Sequence, residues 1–195
     1  MATGKRAKSR QRLPLGERRE ALLRIGLEEF SRTAYDEINL EALAERAGIS
    51  KGLIYHYFPS KRDYYVAALQ VAGAELVARI EAAGQDAERA IGAYLTFVEE
   101  REPAYRALYR GGIGYDEEVS AVVEGTRTRI LEQILAHSDA VTPGVRNALR
   151  GFIGYVEASV LDWLEHRDIP RDRLLRSWQE TLVSSVQRAL DDCPP

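Results

Sequence analysis

The most constraining stretch of the chain is the joint Gly48-Ile49-Ser50. Before it, Leu40, Leu43, Ala44 and Ala47 recur at helical spacing behind Asn39, a residue type that caps helix starts by accepting a backbone N–H bond. Gly48 supplies the left-handed residue that ends one helix, and Ser50 caps the next with only Ile49 between them. Two helices are thus joined by a very tight turn. Ile49 before the cap and Ile54 at the fourth helical position form a hydrophobic staple that fixes the angle of entry. Ile54, Tyr57 and Phe58 share one face of the short second helix and are expected to bury it against the two preceding helices, with Tyr57 at the edge. Lys51, Gly52, Tyr55 and His56 fall on the other face.

A lysine, a bare backbone, a phenol and an imidazole facing outward compose a helix that reads a groove. Lys51 or His56 singly would be unremarkable on a wet surface. The conjunction is what points to DNA: a tight turn, a capped short helix, a basic flank, and Ser60 with Asp63 starting a further helix that carries Lys61 in its first turn. Charge is divided accordingly. Residues 1 to 62 hold 13 Lys and Arg against 8 Asp and Glu, a balance of +5, and the net charge of −3 leaves −8 for the rest. Lys5, Arg6, Lys8, Arg10 and Arg12 stand together with no acid between them, a basic flexible arm that can reach phosphate.

Residues 17–65 resemble the N-terminal domain of the TetR family of bacterial transcription regulators, and the carrying segment is LEALAERAGISKGLIYHYFPSKRDYY, Leu40 to Tyr65. The resemblance implies that Asn39 and Ser50 start helices whose amides face phosphates. It makes Lys51, Gly52 and His56 readers of base edges, and Tyr55, Tyr57 and Lys61 phosphate contacts that set the register. Three positions depart from the family pattern. Ala34 stands where a glycine usually ends the first helix, Glu41 where a neutral or basic residue often approaches DNA, and Leu53 where Ser or Thr is usual. Glu41 could accept from a cytosine amino group or face solvent, with solvent favoured. Leu53 could press on a thymine methyl or serve as packing.

Beyond Tyr65 the resemblance extends only to length and helical character. Helices are expected at about 61–83, 87–101, 103–110, 116–137, 144–167 and 171–191, with Pro103, Pro143 and Pro170 near their starts. Nothing alternates as a strand would, so the chain reads as all-α: an arm at 1–16, a helix-turn-helix domain at 17–62 and a helical regulatory and dimerisation domain at 63–195. With 45% hydrophobic and 29% charged residues and no apolar run of membrane length, a membrane span is excluded; the basic N-terminus lacks a signal-peptide core, which points to the cytoplasm. Cys193, the single cysteine, is a bystander.

The last two helices are apolar on more than one side, which calls for more than one partner. Phe152, Tyr155, Val156, Trp163, Leu175, Trp178, Leu182 and Val186 are the candidates for a homodimer surface, a larger protomer core being the other explanation. The resemblance implies a four-helix bundle made by these two helices from each subunit. Tyr94, Phe97, Tyr105, Tyr109, Tyr115, Val122, Thr126, Phe152 and Tyr155 are the candidates for a pocket that takes a largely apolar effector with a polar handle, such as a long-chain acyl compound or an aromatic drug-like molecule. The glycines of RGGIGYDEEV are either a mobile gate or a loop. No catalytic set emerges: His137, Ser138 and Asp139 are adjacent in sequence and cannot converge as a relay, and Glu99, Glu100 and Glu102 read as a solvated face without histidines at ligand spacing. No metal, cofactor or glycine-rich phosphate loop is implied. The reading is a ligand-responsive repressor on a palindromic operator, with an activator or ligand-insensitive regulator as alternative and an enzyme with an accessory DNA-binding domain as a remote one.

Overall fold

A computed structural model describes residues 15–30, 32–33, 35–110, 112–137 and 141–192. Residues 1–14 of the arm, Ala34, Gly111, Ser138, Asp139 and Cys193 lie outside them. Regular structure among the described residues is helical throughout: α1 (Leu15–Phe30), α2 (Leu40–Arg46), α3 (Lys51–Tyr57), α4 (Lys61–Glu81), α5 (Ala87–Glu99), α6 (Glu102–Arg110), α7 (Glu117–Ala136), α8 (Pro143–His166) and α9 (Arg171–Asp192), with short 3-10 turns at Tyr35–Glu37 and Gly112–Tyr115. None of these helices is long and apolar enough to cross a membrane.

The punctuation expected of the sequence sets these boundaries. Asn39 Oδ1 accepts from the Glu41 amide at 2.8 Å, and Ser50 Oγ from the Leu53 amide at 3.3 Å. Gly48 takes φ 65°, which a side chain would strain. Ser60 Oγ accepts from the Asp63 amide at 3.1 Å while donating to the Asp63 carboxylate at 2.7 Å, closing the start of α4. Pro143 is the first residue of α8, where its missing N–H costs nothing.

Two apolar cores share α4. The first joins Leu22, Leu23 and Phe30 of α1, Leu40 and Leu43 of α2, Ile54 of α3, Phe58 and the Tyr64–Ala68 turn of α4, and it extends to Val119 of α7. The second joins Ala72, Leu76 and Ile80 of α4 to α5, α8 and α9. Tyr64 ties α1 to α4: its fully buried hydroxyl donates to the Leu22 carbonyl, and burial pushes its pKa up to about 12.

Three dimer candidates belong instead to this second core. Val156, Trp163 and Trp178 are buried within the protomer, and both indoles are satisfied there: Trp163 donates to the Ile169 carbonyl at 2.7 Å and Trp178 to Ser159 Oγ at 2.9 Å. The reason is that α9 packs on α8 and on α5 of the same chain, so part of the wide apolar arc read as intersubunit surface is consumed internally.

Candidate DNA-reading face and adjoining cavity

α3 divides as the sequence suggests: Ile54 and Phe58 are buried, whereas Lys51, Gly52, Tyr55 and His56 are exposed. Apart from its chain neighbours and the backbone of its own helix, no atom among the described residues lies within 4 Å of where a Gly52 side chain would begin, so the start of α3 offers bare backbone to an approaching surface. Leu53 is half-buried at the boundary of the two faces. Tyr57 is also half-buried, and its hydroxyl is buried with no partner among the described residues. Lys61 is partly anchored: its ammonium donates to the Asp36 carbonyl at 2.9 Å and lies 4.7 Å from the centre of the Tyr35 ring. Glu41, expected in solvent, is exposed but ion-paired with Lys51 across the α2–α3 joint, and this bond raises the Lys51 pKa.

The reading domain is clamped to the rest of the chain by Arg62. Its Nε and Nη2 donate to the two carboxylate oxygens of Asp116 at 2.6 and 2.8 Å, and Nη1 to Glu118 at 2.6 Å. Asp116 at the same time caps α7 by accepting from the Glu118 and Val119 amides. Hydrogen bonds from Arg62, then from the Val119 amide, hold the Asp116 pKa down to about 2. Nothing in the sequence announces a pairing across 54 residues.

Behind α4 lies a cavity of about 640 Å³, walled by segments of α4 to α9 and reaching Leu27 and Phe30 of α1. Tyr94, Phe97, Tyr105, Tyr109, Val122, Thr126 and Phe152 line it. Tyr115 and Tyr155 do not: Tyr115 is 92% exposed on the 3-10 turn before α7, and Tyr155 projects from the outer side of α8. The glycine-containing Gly112–Tyr115 turn packs on α6 and α7. The polar part of the wall is a chain of groups that bond each other. The Tyr94 and Tyr105 hydroxyls meet at 2.5 Å, Tyr109 donates to Glu157 at 3.0 Å, and Arg127 holds both Glu157 oxygens, the shortest contact being 2.6 Å. Burial raises the pKa of all three phenols, and the hydrogen bond to Glu157 raises that of Arg127. Gln133 Oε1 is buried in the wall without a partner among the described residues. The aromatic residues were legible as candidates; the Arg127–Glu157 pair joins two helices and left no local signal.

The other candidates for chemistry have structural explanations. His137 Nδ1 faces the Gln133 carbonyl at 2.8 Å, and Glu99, Glu100 and Glu102 are ion-paired with arginines, among them Arg171, Arg79 and Arg167. Among the described residues, no group of three His, Cys, Asp or Glu is placed to hold a metal.

Comparison with known proteins agrees with this arrangement. Residues 22–68 match the model of bacterial regulatory proteins of the tetR family, and residues 83–186 match that of the tetracyclin repressor-like C-terminal domain. A crystal structure of a tetR-family transcriptional regulator from Streptomyces coelicolor is 33% identical, with a TM-score of 0.76 over 93% of this chain and 92% of that one. The transcriptional activator FasR of Mycolicibacterium smegmatis is 28% identical over 83% of this chain and 78% of its own. The repressor KstR of the same species is 42% identical over 27% of this chain and 26% of its own. A helix-turn-helix with an exposed reading face, matched by one family model, joined through one long helix to a helical domain matched by the other, makes this chain a DNA-binding transcriptional regulator that belongs to the TetR family.

Proposed function

We propose that the protein works as a homodimer on a two-fold symmetric duplex site, represses transcription there, and leaves the site when a largely apolar small molecule fills the cavity behind α4. The observation that carries this reading is the position of the cavity. Its wall includes Ala72, Gly73, Leu76 and Ile80 of the helix whose other end bears the reading domain. Its volume falls within the range of small-molecule sites, and its lining is mostly apolar with a few convergent hydroxyls and an amide. Arg127 and Glu157 neutralise one another, which favours a ligand without net charge at that point.

In the bound form Lys51, Gly52 and His56 face base edges, while Tyr55, Lys61 and the helix starts at Asn39 and Ser50 face phosphates; Tyr57, expected among the phosphate contacts, has its hydroxyl buried and is not one of them. Dimerisation is assigned to the parts of α8 and α9 that the second core leaves uncovered, where Tyr155 is exposed; Val183 is exposed too but borders the cavity, whose wall also takes Leu182 and Val186, and half-buried Leu175 packs on the second core. Two-fold symmetry would set the two α3 helices about 34 to 36 Å apart, one turn of duplex. A ligand preferring the unbound form by about 1 to 3 kcal/mol weakens DNA binding by about 5- to 150-fold.

An activator role is the second reading, because the relative matched over most of this chain bears that name. The test is a duplex selected by the protein from a random library and placed in a reporter promoter, with and without apolar probes. Reduced transcription that probes relieve supports a repressor, and increased transcription supports an activator. Binding and expression indifferent to every cavity-filling probe, including one shown by calorimetry to bind, would overturn the ligand response.

A further inference from the structure

Glu41 in the first turn of α2 and Lys51 at the first position of α3 form an ion pair on the exposed reading surface. Their side chains are 50% and 63% exposed, so the pair supports no core. It is not needed for capping either, since Asn39 and Ser50 already serve the two helix starts. A cation in the first turn of α3 also opposes the helix dipole, so helix stability alone gives no reason for Lys51.

We infer that Glu41 and Lys51 act as one unit that reads a single G·C base pair in each half-site, with Lys51 donating to guanine and Glu41 accepting from the cytosine amino group. The inference rests on the DNA-binding function assigned above and names how that surface selects sequence. An ion-paired Lys and Glu present a donor and an acceptor side by side. In a G·C pair the guanine O6 and cytosine N4 are bonded to each other and so stand about 2.9 Å apart on the floor of the major groove, an acceptor beside a donor. The two couples are complementary, and contact with the bases lets the side chains keep each other.

An A·T pair also offers an acceptor beside a donor, but it fits worse on both sides. Lys51 would meet thymine O4 next to the C5 methyl, whereas guanine gives it O6 and N7 together. Glu41 would meet the adenine amino group next to the N7 lone pair, which repels a carboxylate, whereas cytosine has no acceptor on its major-groove edge. Reversing the G·C pair puts the carboxylate against O6 and N7. Glu41 therefore rejects three of the four base pairs as well as favouring one, which explains an acid on a face that approaches phosphate.

The test is selection of duplexes from a randomised library by the full chain and by Glu41→Gln, Glu41→Ala and Lys51→Met, each sequenced after binding. The wild type should enrich a G·C pair at one symmetric position in each half-site. Each variant should lose about 5- to 150-fold of discrimination at that position and keep its preferences elsewhere. Because Glu41 is exposed, the Glu41 variants should fold as the wild type does, and their binding to unselected DNA at low salt should persist. Unchanged base preferences in Glu41→Gln would overturn the inference, as would Lys51→Met altering a different position from Glu41→Gln. Enrichment of no site by the wild type would remove the DNA-reading function itself, a distinguishable failure.

Discussion

Gly73 sits where α4 crosses α7 so closely that its substitution can be worked out in advance. A Cβ placed there would lie 2.4 Å from Thr126 Oγ1, with the Thr126 Cβ and Cγ2 each at 3.5 Å, an ordinary contact. The obstruction is therefore one hydroxyl. That hydroxyl is buried and donates to the Val122 carbonyl at 2.9 Å. Gly73→Ala must drive it from this bond, at about 1 to 3 kcal/mol for a buried group left without its partner. Against that, alanine in a helix interior is favoured over glycine by about 1 kcal/mol. The net expectation is a loss of about 1 kcal/mol. In a Thr126→Ala background the hydroxyl is gone, only ordinary contact distances remain, and the same Gly73→Ala should gain up to about 1 kcal/mol.

The sign of one substitution thus reverses with the residue opposite, giving a coupling of about 2 kcal/mol. Urea unfolding of the wild type, both single variants and the double variant measures it. Thermal midpoints should move by about 2 to 4 °C per kcal/mol for a chain of this size. Equal effects of Gly73→Ala in both backgrounds would refute the close α4–α7 crossing, because the helix-propensity gain is common to both and only the contact differs.

Three further outcomes follow from the same geometry. Lys61→Ala should weaken binding to all duplexes nearly uniformly and lower the salt slope by about 1 without changing base preference, as measured by anisotropy at several salt concentrations, with a small stability loss from the freed Asp36 carbonyl. Tyr155→Glu, on an α8 residue that is 40% exposed and outside the cavity wall, should convert dimer to monomer in sedimentation and abolish the advantage of two half-sites over one. The Asp116 carboxyl is held at about 2, below the unfolded value of about 3.9, so its bond to Arg62 is fully present above about pH 3.9 and lost as pH falls through about 2; hydrogen exchange in the first turn of α7 should accelerate in that window, and Asp116→Asn should abolish the step.

The helix starts and ends were legible because they depend on local chemistry. Asn39, Gly48, Ser50, Ser60 and Pro143 each act within four residues of themselves, and a local rule needs only a local sequence. The division of α3 into buried Ile54 and exposed Lys51, Tyr55 and His56 was legible for the same reason, being a matter of helical period. What the sequence withheld is what two distant segments do together. Trp163 and Trp178 lie on helices with broad apolar arcs, and periodicity reports that an arc is buried without reporting whether its own chain or a second copy covers it. Tyr115 has the composition of a pocket residue but stands on a 3-10 turn that faces outward. The Arg62–Asp116 clamp and the Glu41–Lys51 pair combine residues that are ordinary surface charges when read singly.

That clamp decides how a ligand would act on the reading domain. α4 spans 21 residues, about 32 Å, and belongs to the first core through Tyr64–Ala68 and to the cavity wall through Ala72–Ile80. It contains no proline, so a push on its second half is transmitted rather than absorbed by a kink. A tilt of about 5° about the midpoint displaces each end by about 1.4 Å, from the helical rise alone. α7 also lines the cavity, through Val122, Thr126 and Ile130, while its capping residue Asp116 grips Arg62 at the start of α4. If the ligand moves α4 and α7 as one body, the clamp carries the motion and Arg62→Ala should reduce the coupling between ligand and DNA. If the ligand drives the helices apart, the clamp resists it, and the variant should respond at lower ligand concentration with its coupling intact or larger. Calorimetric titration of a confirmed ligand with and without operator, on wild type and Arg62→Ala, separates the two. A coupling factor and a ligand affinity both unchanged in the variant would show that α4 alone transmits the signal and that the clamp serves only to hold the domains together.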